Sequence, residues 1–486
     1  MDSTGKKAVP QMALDLVPPG TTEEEEARKK LKKVPLPENI TSKMLYKDIV
    51  HIAWPSLIEL TLTQLASMVD MMMVGHLGSS ALTAVGLTTQ PKFLLMTLFM
   101  SLNVGATAMV ARYKGAGKPE KANLILRQAF LMTFVLSLLM SVIGFFAAEP
   151  LIRFMGAPDA VTLEGGTTYL QIQMLGFVFM ALTSTITATL RGVGNSKTAM
   201  VYNVVANVVN VILNYVLIYG HFGFPRMEVA GASLATIIGQ FIAFLLGMYA
   251  IMNGKQYLQL KIKEGFKPDK GALKSIFQIG IPAMIEQLVM RTGMIIYART
   301  VAGLGTVAYA THQVCMNIQA LSFMIGQAFA VSATSLVGQS LGRVRSDMAE
   351  AYSSRTSRIG YACAFLLTIV FLLFGRQIVM LYNDEKEVIE AGAVILWYVA
   401  FLQPFQAMQF ILAGALRGAG DTKATAVVTF ITMLIVRPTL AIILINVFHM
   451  GLNGAWVALA ADQMLRSILI FARYRTGKWK YLRISQ

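Results

Sequence analysis

The stretch that decides the fold reads LRGVGNSKTAMVYNVVANVVNVILNYVLIYG and covers residues 190–220. It opens on a glycine-rich basic turn, Leu190-Arg191-Gly192-Val193-Gly194, with Lys197 just beyond it. An uncharged, largely apolar run follows, of the length (about 20 residues) that crosses a bilayer as a helix. Its polar residues are placed with a period. Asn203, Asn207, Asn210 and Asn214 follow one another at spacings of 4, 3 and 4, so they share one helical face. Four amides turned toward lipid would be costly, so the stripe must meet protein or water.

The same turn returns in the second half of the chain. Leu190-Arg-Gly-Val-Gly194 matches Leu416-Arg-Gly-Ala-Gly420 at an offset of 226, and Lys197 matches Lys423. Pro55-Ser-Leu-Ile-Glu59 matches Pro282-Ala-Met-Ile-Glu286 at an offset of 227, as do Leu77-Gly78 with Leu304-Gly305, Val104-Gly-Ala-Thr107 with Val331-Ser-Ala-Thr334, and Gly115 with Gly342. Identity that keeps register over so long a stretch marks an internal duplication. Each repeat holds six hydrophobic runs. An even number gives both halves the same topology, related by an axis along the membrane normal, the arrangement of secondary transporters that open a central site to either side.

Twelve such runs lie at 48–74, 81–111, 122–147, 165–190, 198–220, 229–253, 273–301, 308–338, 352–374, 389–416, 424–446 and 453–472. The predicted fold is therefore an all-α membrane protein, twelve transmembrane helices in two pseudo-symmetric six-helix bundles. Interior prolines at 55, 91, 282, 404 and 438 are tolerated in membrane helices. The ten-residue alternating segments of a barrel are absent. The expected organisation is a hydrophilic cytoplasmic arm over 1–47, an N-lobe over 48–253, a cytoplasmic linker over 254–272, a C-lobe over 273–473 and a basic cytoplasmic tail over 474–486. The arm carries Glu23–Glu26 and then five basic residues between Arg28 and Lys33. It has no apolar core of signal-peptide type, so no cleaved targeting segment is expected.

Composition agrees. Of 486 residues 55% are hydrophobic and 14% charged, against roughly 25% charged in soluble domains. The net charge of +16 would suggest a nucleic-acid partner if it were clustered in a soluble domain. It is not. With both termini on one side, 29 of the 42 Lys and Arg fall outside the runs on that side and four on the other. The positive-inside rule makes the basic side cytoplasmic. The lipid bilayer, not nucleic acid, accounts for the surplus. Two cysteines give neither a disulfide framework nor metal-ligand spacing.

Charges at membrane depth are costly and mark function or pairing. The in-span acids are Glu59, Asp70, Glu286 and Asp462. Ser56, Glu59, Thr63 and Asp70 share one face of the first run, with Glu59 and Asp70 about 16 Å apart along the axis. Together with the Asn stripe they suggest a polar chamber. Interhelical hydrogen bonding explains the same residues without a ligand. A carboxylate so placed can carry a proton or bind a hard cation such as Na⁺, and its charge state responds to burial and to neighbouring cations. Glu286 repeats the position of Glu59. Gln287 and Arg291 sit four apart, and Arg437 is a possible partner for Glu286. Asp462 and Arg466, at i and i+4, read as a simple pair. Arg191 and Arg417 read as helix-end anchors. Gln403, Gln406 and Gln409, and His312, Gln313 and Asn317, suit either substrate contact or helix packing. Thirty methionines suit an adaptable apolar surface or ordinary core filling. No P-loop, metalloprotease motif or nucleophile elbow is present, so the chain is not expected to be an enzyme or an ATP-driven pump.

In order and spacing, these motifs resemble the multidrug and toxic compound extrusion (MATE) family. Val69-Asp70-x4-Gly75-x-Leu77-Gly78 resembles its first-span signature. Leu190 to Lys197 followed by Asn210, Asn214 and Gly220, the copy at Leu416 to Lys423, and Arg466 to Trp479 are also similar to it. The resemblance covers about 45–480. It implies an efflux antiporter that exports cationic or amphipathic organic compounds in exchange for H⁺ or Na⁺ by alternating access, monomeric, without a cofactor, in the cell membrane. It implies a cation site of Asp70, Asn210, Asn214 and Thr236, which would also be the metal ligands if Na⁺ is the ion. Asn214 replaces an acid found in some relatives, and Glu59 is the residue on the same face that would compensate. Further candidates for substrate contact or charge relay are Thr63, Asn203, Asn207, Glu286, Gln287, Arg291 and Tyr297. The alternative within the same superfamily is a flippase or exporter of lipid-linked substrates or metabolites, which calls for a cationic cavity.

Overall fold

The computed structural model describes residues 39–482. The charged run between Glu23 and Lys33 lies outside them. Twelve helices are long and apolar enough to cross a membrane. They are α1 Ser42–Gly75, α2 Ser79–Gly115, α3 Pro119–Phe146, α4 Ala160–Gly192, α5 Ser196–Tyr219 and α6 Glu228–Met252. In the second half they are α7 Lys270–Ala302, α8 Thr306–Gly342, α9 Ser346–Met380, α10 Lys386–Gly418, α11 Thr422–Asn446 and α12 Gly451–Arg475. A short helix, Ala148–Phe154, precedes α4. Most spans run several residues past the apolar runs, because their polar ends continue as helix beyond the hydrocarbon.

Large apolar side chains stay exposed along the spans, such as Leu138, Leu139 and Val142 on α3 and Phe365, Leu366 and Ile369 on α9. In water that would be an aggregation hazard; in a bilayer it is the lipid-facing surface. Local signals end the helices. Asp159 caps α4 by accepting the Thr162 backbone N–H at 2.7 Å, and this bond holds its carboxyl below the usual carboxylate range. Gly220 closes α5 in the left-handed conformation. Within α11, residues Ile431–Val436 widen into a π-helical turn just before Arg437-Pro438. Pro438 has no N–H to give the preceding turn, and the ladder adjusts there.

The helices form two compact units. The first is Trp54–Val110 with Pro119–Met284; the second, within the described residues, is 39–53, Ala111–Lys118 and 285–482. These limits differ from lobes drawn at 48–253 and 273–473, because each unit takes in the opening turns of a helix assigned to the other. Leu45 and Ile49 of α1 pack in the core of the second unit with Phe329, Leu336 and Leu416, and Ser332 donates to the Ile49 carbonyl at 2.9 Å. The start of α7 packs on α2 in the first unit, where Gly105 meets the Ile276 backbone and Gly280 meets Leu102.

The linker and the tail are also fastened. Residues 254–269 lie on α3. Asn123 accepts the Gln259 N–H at 2.9 Å, Gln128 bonds Lys267 and Asp269, and Arg127 pairs with Glu264. The expected basic tail folds back into the second unit. Trp479 is fully buried and stacks on Tyr474, Lys480 pairs with Glu350, and Arg112 holds the Leu482 carbonyl. Sequence reading saw the charges of this segment and missed its aromatic anchor.

A reciprocal contact closes the second unit. A Cβ on Gly115 would strike the backbone of Gln339, and one on Gly342 would strike that of Arg112. These four residues form two pairs related by the offset of 227 seen in the sequence. Only glycine lets two backbones approach so closely.

Candidate functional site

In the first unit α1 and α5 run parallel in one register. Asn203 Nδ2 donates to Glu59 Oε1 at 2.7 Å, Asn207 Nδ2 to Thr63 Oγ1 at 2.9 Å, and Asn214 Nδ2 to Asp70 Oδ1. Each pair is separated by 144 residues. The stripe on α5 and the polar face of α1, inferred separately from spacing, are thus two sides of one interface. Asn210 stands between Asp70 and Thr236. With its nitrogen toward the carboxylate it donates to Asp70 Oδ1 and Oδ2 at 3.0 and 3.2 Å, and accepts from the Thr236 N–H at 3.1 Å and hydroxyl at 3.3 Å. The opposite orientation would set acceptor against acceptor.

Asp70, Asn210 and Thr236 line a cavity of about 270 Å³, together with Thr63, Asn207 and Gln240. Apolar walls come from Val74, Phe93, Met96 and Met180. Asn214 lies behind Asp70, fully buried. The cavity also contains Lys92 of α2, in electrostatic reach of Asp70. Lys92 is absent from the sequence-based site. The signal was there: it is an in-span lysine just after Pro91, but no partner could be assigned from spacing.

Glu59 does not join this cavity. Its carboxylate pairs with Arg191 at 2.7 Å and is 5% exposed, with Asn203 as second donor. Arg191 is therefore the counter-ion of Glu59 and not a simple helix-end anchor. The second unit repeats the arrangement. Arg417 pairs with Glu286 at 2.8 Å, while Thr425 and Thr429 donate to the same carboxylate at 3.0 and 3.4 Å. Thr429 occupies the position that corresponds to Asn203, at the offset of 226.

Arg437 consequently does not pair with Glu286. Its guanidinium and that of Arg466 both bind Asp462, a buried triad in place of the simple i,i+4 pair. Tyr297 is buried beside it, donating to the Ala455 carbonyl at 2.7 Å under the Arg437 guanidinium. Tyr297 thus belongs to the core, as does His312, packed on Tyr297 and Trp456. Gln287 and Arg291 are half-buried, on the same helix as Glu286 but outside its ion pair. Gln403 bonds Ser322 and the Val399 carbonyl and, with Gln406, borders a void of about 20 Å³, the room of a single water. Among the described residues no group of three His, Cys, Asp or Glu is arranged to hold a metal ion.

Comparison with known proteins places this geometry. The family model MatE matches residues 55–216 and again 282–443, the two repeats. The chain belongs to the MatE family. Members of this family are transporters, and the chain is a multi-pass membrane transporter, not an enzyme. It is 28% identical over 440 residues to the "Probable multidrug resistance protein NorM" of Thermotoga maritima, covering 89% of this chain and 93% of that one. It is 26% identical over 434 residues to "Multidrug resistance protein MdtK" of Yersinia enterocolitica, covering 88% and 95%. The solved structure titled "Outward-facing conformation of a multidrug resistance MATE family transporter of the MOP superfamily" superposes with a TM-score of 0.84 at 22% identity, covering 90% of this chain and 97% of that one. MatE chains of this fold share the twelve-helix architecture found here.

Proposed function

We propose that this MatE chain is a secondary active antiporter that exports cationic or amphipathic organic compounds in exchange for H⁺ or Na⁺, as a monomer in the cell membrane with both termini in the cytoplasm. Asp70 is the coupling carboxylate, held by Asn210 and Asn214, with Thr236 behind them. The observation that carries this reading is that Asp70 faces the cavity while Glu59, Glu286 and Asp462 are each neutralised by arginine. Among these acids it is the one set against amides and open space, so its charge can change without stranding a buried guanidinium. Thr63 and Asn207 line the cavity and contact substrate there. Glu59 and Glu286 act as structural charges, with Asn203 as a neutral donor to Glu59, and set the register of the moving helices. Alternating access is relative motion of the two lobes around such a site.

A lipid-linked flippase would call for a cationic cavity, and this one balances a single carboxylate with a single ammonium. The apolar walls suit a planar or flexible organic ion. The test is transport in proteoliposomes holding a fluorescent organic cation, with a pH or Na⁺ gradient imposed. Gradient-driven movement against the concentration gradient supports the proposal; movement that ignores both gradients sinks it.

A further inference from the structure

The cavity of the first unit already contains a cation. Lys92 comes from α2, Asp70 from α1, and both line the same space. No ion pair within 4 Å and no hydrogen bond engages the Lys92 ammonium among the described residues. It lines the cavity without being locked onto the carboxylate. Asp70, Lys92 and Tyr169 are the titratable side chains of the lining; α5 and α6 contribute amides and hydroxyls.

The groups that touch Asp70 are donors. Asn214 offers its nitrogen, as does Asn210 in its satisfied orientation. The oxygen of Asn214 is buried without a partner, turned away from the carboxylate. A sodium ion needs the reverse, oxygens converging on one point. To bind it, both amides would have to turn over and give up their bonds to Asp70. Any such ion would also share one low-dielectric space with the Lys92 ammonium, and like charges there repel strongly.

We propose that Lys92 is the resident cation of this site: its ammonium already supplies the positive charge that a sodium ion would bring to the cavity, and so restricts the coupling reaction to protons. The inference rests on the reading of Asp70 as the coupling carboxylate. It also gives exchange a simple electrostatic logic. With Asp70 ionised the cavity is neutral overall. When Asp70 takes up a proton, forming its carboxyl O–H, the cavity gains a net positive charge from Lys92 and repels a cationic substrate.

The test is equilibrium binding of ²²Na⁺ to the purified full-length chain in detergent, with KCl holding ionic strength constant. The wild type and Lys92→Arg should bind no sodium above the level of the Lys92→Gln/Asp70→Asn double variant. Lys92→Gln should gain an Asp70-dependent site, at least about tenfold tighter than any wild-type signal. Sodium binding by the wild type that Asp70→Asn removes would overturn the proposal, whatever Lys92→Gln does. So would a folded Lys92→Gln chain that gains no site. In proteoliposomes, wild-type export on a sodium gradient alone overturns it as well. Absence of export under either gradient, with the binding results as expected, would instead count against Asp70 antiport and leave the assignment of Lys92 standing.

Discussion

Glu59 and Arg191 form an ion pair at 2.7 Å, and the corresponding residues of the second half, Glu286 and Arg417, form one at 2.8 Å. The duplication has kept a buried charge pair, not merely a hydrophobic pattern. In each half it ties the opening helix of the repeat to the end of its fourth. Both carboxylates are almost fully enclosed, and the arginines are about one-fifth exposed.

Breaking such a pair from one side strands the other charge. Glu59→Gln should destabilise the protein by roughly 2 kcal/mol, below the roughly 3–5 kcal/mol of a fully buried pair because Arg191 keeps some solvent. Glu59→Gln/Arg191→Gln should recover part of that loss. Thermal unfolding in detergent for these two variants and Arg191→Gln checks the coupling, and strictly additive effects would show that the two residues act independently.

Asp70→Asn removes the titrating group but keeps a side chain that can bond Asn214. Gradient-driven export should fall to background, while melting temperature and elution profile stay near wild type. Retained export in a folded Asp70→Asn chain would move the coupling site elsewhere.

The triad in the second unit behaves differently. Asp462 is fully buried and holds both Arg437 and Arg466. Asp462→Asn leaves two guanidiniums without a counter-charge, at a cost on the order of 3–5 kcal/mol. The expected result is poor yield of monodisperse protein, seen by fluorescence-detected size-exclusion chromatography. A well-behaved Asp462→Asn chain would show that the arginines find other partners.

Gly342→Val tests the close crossing of α2 and α8. A side chain there meets the Arg112 backbone, which cannot rotate away. The variant should unfold at a temperature lower by several degrees, corresponding to about 1–3 kcal/mol of overpacking, and Gly115→Val should behave alike. Gly86→Val, in open surroundings on α2, is the control expected to change little.

Much of the fold was legible because membrane helices announce themselves: twelve apolar runs, a repeat in register, and a charge asymmetry. The site was legible where chemistry is periodic. The Asn203–Asn214 stripe and the Glu59–Asp70 face suggested a polar chamber, and the structure joins the two faces as the α1–α5 interface. What stayed hidden were partners joined across the fold. Arg191 and Arg417 sit at helix ends in the sequence, and nothing in spacing points them at Glu59 and Glu286. Arg437 was offered Glu286 as a partner, and packing gives it Asp462 instead. Lys92 is one lysine in an apolar run, and its importance depends on a neighbour 22 positions away on another helix.

Trp479 has a consequence for how the chain is made. It shares a core with Leu45 and Ile49, so one hydrophobic cluster joins residues 434 positions apart, Leu45 and Trp479. The first unit can assemble while synthesis continues, since its residues end at Met284. The second cannot finish until Trp479 has left the ribosome, and until then the opening turns of α1 wait in the membrane without their final neighbours. Ribosome stalling or a nonsense codon just before Trp479 should therefore send a protein with all twelve spans made to quality control.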